Sequence, residues 1–181
     1  MAAFSQLDWT RFDVWAAVAM EGVTVVDQPH REACRSWLRE NDYSLNAIDF
    51  GAGIGMAMVE LGRLFRWQEQ FGYELTSDSR NLDALRDGFD LDLPPGAGHA
   101  FELLNADVAY VEDGRWLLGL LAIAHEYSRR QLAVGARFFT VLYLDRNSKL
   151  IGQTYESLSV PGPYWRPAAR PDPFQPSKRS Q

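Results

Sequence analysis

Apolar residues recur at spacings of three and four in some stretches of the chain and as short β-branched or aromatic runs in others. Phe12, Trp15, Ala16 and Ala19 fall at helical spacing ahead of Gly22, a stop signal. "VTVVD" (23–27) reads as a strand, Cys34, Trp37 and Leu38 mark one stripe of a helix, and "YSLNAIDF" (43–50) returns to strand. A strand–helix–strand order of this kind predicts parallel pairing of the two strands with a right-handed crossover.

Beyond a glycine-rich turn, Met58, Leu61, Leu64, Phe65 and Trp67 give a broad apolar face to a helix over 56–72. "DSRNLDALRDGFD" predicts a second, shorter helix, closed by a loop where "DLDLPPGAGH" sets prolines beside glycines, with His99 in that loop. "HAFELLNADVAYV" (99–111) reads as a strand broken by Asn105-Ala106-Asp107. A long helix over 115–134 follows, with Leu117, Leu120, Leu121, Ala124 and Leu132 inward and Gly135 at its end. "FFTVLYLD" (138–145) is the clearest strand. "KLIGQTYESL" suggests an edge strand, and the proline-rich stretch over 161–181 reads as a tail.

The 181 residues fit one domain, and 46% hydrophobic against 23% charged residues places the chain among globular proteins. A net charge of −6 weighs against direct contact with a nucleic-acid backbone, which requires a basic face, and favours a basic partner. One cysteine, Cys34, and no signal-like start lead us to expect a cytoplasmic protein; no run is long enough to span a bilayer.

Chemistry-bearing residues are sparse. His30 and Cys34 stand one helical turn apart, but no second pair completes a four-ligand set, so no metal is expected. No serine or cysteine is aligned with a base and an orienting carboxylate, so catalytic residues are not expected either. "DFGAGIG" (49–55) resembles the D-x-G-x-G-x-G turn by which class I methyltransferases hold S-adenosylmethionine. That resemblance implies an acidic residue closing the next strand, for which Glu74 is the candidate, and five or more parallel strands, where this chain offers four or five. The alternative is a plain strand-to-helix turn in which glycine supplies unusual dihedrals, with no cofactor.

"SRNLDALRDGFD" (79–90) is more informative. A helix from Asn81 puts Leu82, Leu85 and Phe89 on one side and Asp83, Asp87 and Asp90 on the other. Like charges four residues apart repel mildly, so the acidic stripe is either a solvated face, partly neutralised by Arg86, or a surface awaiting a cation.

"NLDALRDGF" resembles the signature of the barstar family, small cytoplasmic inhibitors of secreted ribonucleases, and the order of elements from residue 8 to about 160 is similar as well. The resemblance implies an α/β fold with a small, mainly parallel sheet of three core strands plus an extra N-terminal strand, flanked by helices. One domain would cover 1–160, with a helix–strand–helix extension at about 1–42. It further implies an immunity protein, not an enzyme, whose partner is a cognate nuclease toxin, plugged by the acidic helix and the loop before it. Carried over by position, Asn81 and Leu82 open the helix, Asp83 and Asp87 are contact carboxylates, and Glu126 is a further acidic contact; Asp78 and Arg86 complete the expected surface. Where the family carries Tyr-Tyr-Gly before the motif this chain has Ser77-Asp78-Ser79, and Arg86 replaces the usual Trp. The stacking contacts of those aromatics are therefore missing, which implies a different nuclease partner. An acidic interaction module with a non-nuclease partner is the remaining alternative.

Overall fold

A computed structural model describes residues 11–18, 20 and 22–165. Ala19, the side chain of Trp15, and the tail over 166–181 lie outside the described residues. The elements run α1 (Phe12–Val18), β1 (Val23–Asp27), α2 (Arg31–Glu40), β2 (Tyr43–Asp49), α3 (Ile54–Leu64), α4 (Trp67–Phe71) and α5 (Leu82–Gly88). They continue with β3 (Gly98–Leu104), α6 (Ala106–Ala133), β4 (Arg137–Leu144) and a short hairpin, β5 (Thr154–Tyr155) and β6 (Leu158–Ser159).

Four strands form one all-parallel sheet in the order β1-β4-β3-β2, with helices on both faces. Alternation along the strands sends side chains to two cores. Val25, Ile48, Phe101, Leu103, Phe138 and Leu142 meet α3, α5 and α6, whereas Val26, Ala100, Phe139, Val141 and Tyr143 meet α1 and α2. The central strands β3 and β4 are buried along almost their whole length, as expected for strands covered on both faces. β2, with exposed Ser44, Ala47 and Asp49, is an edge.

Several expectations change. β1 and β2 are parallel but do not pair: Val23 lies opposite Thr140 of β4, so α2 carries the chain across the whole sheet. β4 and β3 lie between them. The stretch 105–112 is not strand. Asn105 takes left-handed dihedrals (φ 54°, ψ 34°), ends β3, and starts α6 some nine residues before the sequence reading has it. Ala106 and Ala109 then point into the core. α6 breaks at Asp113 (φ −153°, ψ 85°), whose carboxylate accepts from the Trp116 N–H at 2.9 Å and so caps the second stretch. His99 lies inside β3, not in the loop. The expected edge strand near 149–158 is instead the separate antiparallel hairpin β5–β6.

The start of the proline-rich stretch is no loose tail. Tyr164 and Trp165 pack on Phe12, and the Tyr164 N–H donates to the Val25 carbonyl at 2.7 Å, covering the outer edge of β1. The helix expected over 56–72 divides at Arg66, whose left-handed dihedrals separate α3 from α4.

Candidate protein-interaction site

α5 is a short helix held by its cap and its underside. The Asn81 side-chain oxygen accepts from the N–H groups of Asp83 at 2.9 Å and Ala84 at 3.3 Å. Asp83, in the first turn, sits where the helix dipole favours a negative charge. Leu85 and Phe89 are buried, and Leu82 rests on α6 at Gly119, where an added Cβ would lie 2.4 Å from a Leu82 methyl. Glycine at 119 is what lets the two helices approach so closely. Asn81 and Leu82, both expected to face a partner, are thus committed to holding α5: one caps it and the other packs beneath it.

The other side of α5 faces solvent. The Asp83 side chain is 92% exposed, and Asp87 is exposed and makes no hydrogen bond or ion pair among the described residues. Between them Arg86 reaches across to α6 and to the hairpin. Its guanidinium lies 3.9 Å from Asp83, 3.4 Å from Glu126 and 3.8 Å from Glu156. It does not pair with Asp90, the other partner that spacing allows; Asp90 accepts instead from the Tyr127 hydroxyl at 3.3 Å. Asp83, Asp87, Glu126 and Glu156 against Arg86 alone leave this group with an excess of negative charge. Next to it, a cavity of about 250 Å³ is lined by Asp87, Phe89, Asp90, Tyr127 and Arg130. Arg130 stacks over the Tyr127 ring at 5.6 Å.

Asp78 is exposed on a turn ahead of α5, fixed by the Ser79 N–H donating to the Thr76 carbonyl and by the Ser79 hydroxyl accepting from the Thr76 N–H, each at 3.0 Å. No hydrogen bond or ion pair joins Asp78 to the Arg86 group among the described residues. Glu156 is the residue missed by sequence reasoning. It sits in a stretch read as strand, whereas its left-handed dihedrals (φ 53°) turn the hairpin toward α5.

The glycine turn is filled from within the chain. Asp49 accepts from Asn105 Nδ2 at 2.6 Å and from the Gly51 N–H at 2.8 Å, and both bonds hold its carboxyl below the usual range. Gly53 takes φ 89°, open to glycine, and the next N–H, that of Ile54, donates to Glu112 Oε2 at 2.9 Å. That bond, with Arg80 2.5 Å from the other oxygen, lowers the Glu112 pKa. The first N–H of α3 therefore meets an internal carboxylate, which in turn ties down the residue just before Asn81. Glu74 is in a loop and closes no strand. His30 and Cys34 have different surroundings: the His30 ring is half exposed beside Asp27, while Cys34 is buried and its thiol pushed up to about 12 by that burial.

Compared with known proteins, the chain matches no family model, no curated protein and no solved structure.

Proposed function

We propose that this chain binds a basic protein through the outer face of α5, as an immunity protein of the barstar kind that plugs the active site of a nuclease, in first place a ribonuclease. The observation that carries the reading is the pairing of a rigid underside with an exposed acidic outer face: Leu85 and Phe89 are buried, while above them Asp87 has no partner among the described residues and Asp83, 92% exposed, has only a 3.9 Å contact with Arg86. Glu126 and Glu156 extend that face onto two neighbouring elements. A nuclease holds its substrate's phosphates with arginines, lysines and histidines, and carboxylates placed in those subsites offer charge-assisted hydrogen bonds in place of the phosphates. The resemblance of "NLDALRDGF" to the barstar signature selects a nuclease among basic partners.

The test is capture of the partner from the source organism, followed by affinity and inhibition measurements with wild type, Asp83→Ala and Asp87→Ala. Each aspartate variant should lose about 3 kcal/mol or more of binding if it leaves a partner cation buried without its counter-charge, with the melting temperature nearly unchanged. Equal affinity of both variants and wild type overturns the reading. A captured partner without nuclease activity, bound through the same aspartates, leaves the acidic module and removes the nuclease.

A further inference from the structure

The loop ahead of α5 lies on a glycine face of α3. Gly55 and Gly62 stand seven residues apart, about two turns along one side of that helix. A Cβ added at Gly62 would come 3.0 Å from the Leu75 Cβ, and one added at Gly55 would come 3.1 Å from the Ser77 Cβ and 3.3 Å from its carbonyl oxygen. Glycine at both positions lets the loop settle against the α3 backbone.

One carboxylate closes the far end of this loop. Glu112 belongs to the first stretch of α6 and is the last residue before the break at Asp113. Its Oε2 accepts from the Ile54 N–H at 2.9 Å and its Oε1 from Arg80 at 2.5 Å, so α3, α6 and the loop meet there. Gly53 is what admits the carboxylate, since an added Cβ would lie 2.9 Å from Oε2. Arg80 directly precedes Asn81, which caps α5 by accepting from the N–H groups of Asp83 and Ala84. α5 itself rests on the second stretch of α6, with Gly119 under Leu82 and Glu126 beside Arg86. Helix and entry loop are thus held by separate parts of α6.

We propose that Glu112 is a positioning residue for the acidic face of α5: through Arg80 it latches the loop over 75–80 on α3, and so fixes the capped start of the helix, where Asp83 stands. This role rests on the reading of α5 as a binding face. The side chains of Arg80 and Glu112 are 39% and 34% exposed, and a pair of that kind adds little to global stability. Opening a loop takes little free energy as well, so the same small contribution decides how often the loop leaves α3. With the latch open, a partner has to select the latched orientation from a mixture, which lowers its apparent affinity.

Amide hydrogen exchange, read by NMR on the full chain without a partner, tests the latch. Glu112→Gln keeps the shape of the side chain but offers one acceptor oxygen to two donors. The amides of Ser79, Arg80, Asp83 and Ala84 should exchange about threefold faster or more, while those of β3 and β4 and the melting curve stay as in wild type. Arg80→Gln should do the same, Arg80→Lys should keep most of the protection, and the double variant should be no worse than either Gln variant alone. With the captured partner, Glu112→Gln should bind about threefold more weakly or more, and Arg80→Lys close to wild type. Unchanged exchange at these amides in Glu112→Gln overturns the proposal. So does faster exchange with wild-type affinity while Asp87→Ala binds more weakly. If Asp83→Ala and Asp87→Ala both bind like wild type, the reading of α5 has failed and the positioning role falls with it; the aspartate variants tell the two failures apart.

Discussion

The Arg86 guanidinium lies 3.4 Å from the Glu126 carboxylate, across the seam between α5 and α6, and so neutralises part of the acidic face proposed to bind a basic partner. Arg86→Gln removes that charge. At low salt, association with the captured partner should become roughly twofold faster or more, because the face gains a net negative charge, and the rate should fall more steeply as salt screens the field. Stopped-flow association over an ionic-strength series measures both. Folding stability should change by less than about 1 kcal/mol, as for exposed ion pairs in general.

Asn81 carries the start of α5. Replacing it with Ala leaves the N–H groups of Asp83 and Ala84 without their acceptor and should cost about 1 kcal/mol in urea unfolding, whereas Asn81→Asp should keep most of that stability. An equal loss in both variants would mean that the cap contributes nothing.

Leu85 is the counterpart of Asp87 on the buried side. Leu85→Ala opens a cavity under α5 and should lower stability by about 2–5 kcal/mol, read from denaturant midpoints, while the folded fraction keeps its affinity for the partner. Asp87→Ala should do the reverse. Together the two variants separate the scaffold from the surface it presents.

His99 gives a pH dependence of known sign. Burial in β3 lowers its pKa from 6.5 to about 4, with Asn46 Nδ2 3.2 Å from Nε2. Between those values the unfolded chain takes up a proton that the folded chain refuses. Stability should therefore be full above pH 6.5 and fall as the pH drops toward 4, by about 3 kcal/mol at most from this group. Glu112 and Asp49, whose pKa values are lowered, add a loss that sets in only as the pH falls through their ordinary values of 4.5 and 3.8, at the acid end of this range. Melting curves from pH 7 to 4 for wild type and His99→Gln test the assignment, since the variant should lose the slope between 6.5 and 4.

Local patterns proved readable where one element settled its own structure. β1, α2, β2 and β4 begin and end close to where alternation and turn residues place them, and the division of α5 into Leu85 and Phe89 against Asp83 and Asp87 is the one its spacing predicts. What depended on distant partners was not readable. Nothing in "VTVVD" reveals that Val23 will lie beside Thr140 and not beside β2, because strand order is set by pairing between distant segments, which no local pattern carries. Asn105 looked like an interruption within a strand, yet its left-handed dihedrals are the boundary between β3 and α6. Glu156 joins the acidic face only because a tight hairpin folds back over α5, a contact across seventy residues that no periodicity encodes. Glu112 likewise meets the glycine turn from a helix 58 residues further on.

The placement of β1 bears on how the chain is made. Its register partners in β4 are synthesised more than a hundred residues later, and the segment that seals its outer edge, at Tyr164, later still. β2 and β3 are separated only by α3, α4 and α5 and can pair as soon as Leu104 has emerged. Contacts between distant segments form slowly, since a long loop must close before they contribute. During translation the apolar residues of β1, Val23, Val25 and Val26, thus wait without a strand to pair with until β4, over 137–144, has been made. Until then the apolar side chains of β1 are unpaired in the nascent chain, the condition under which incompletely folded chains aggregate or need a chaperone.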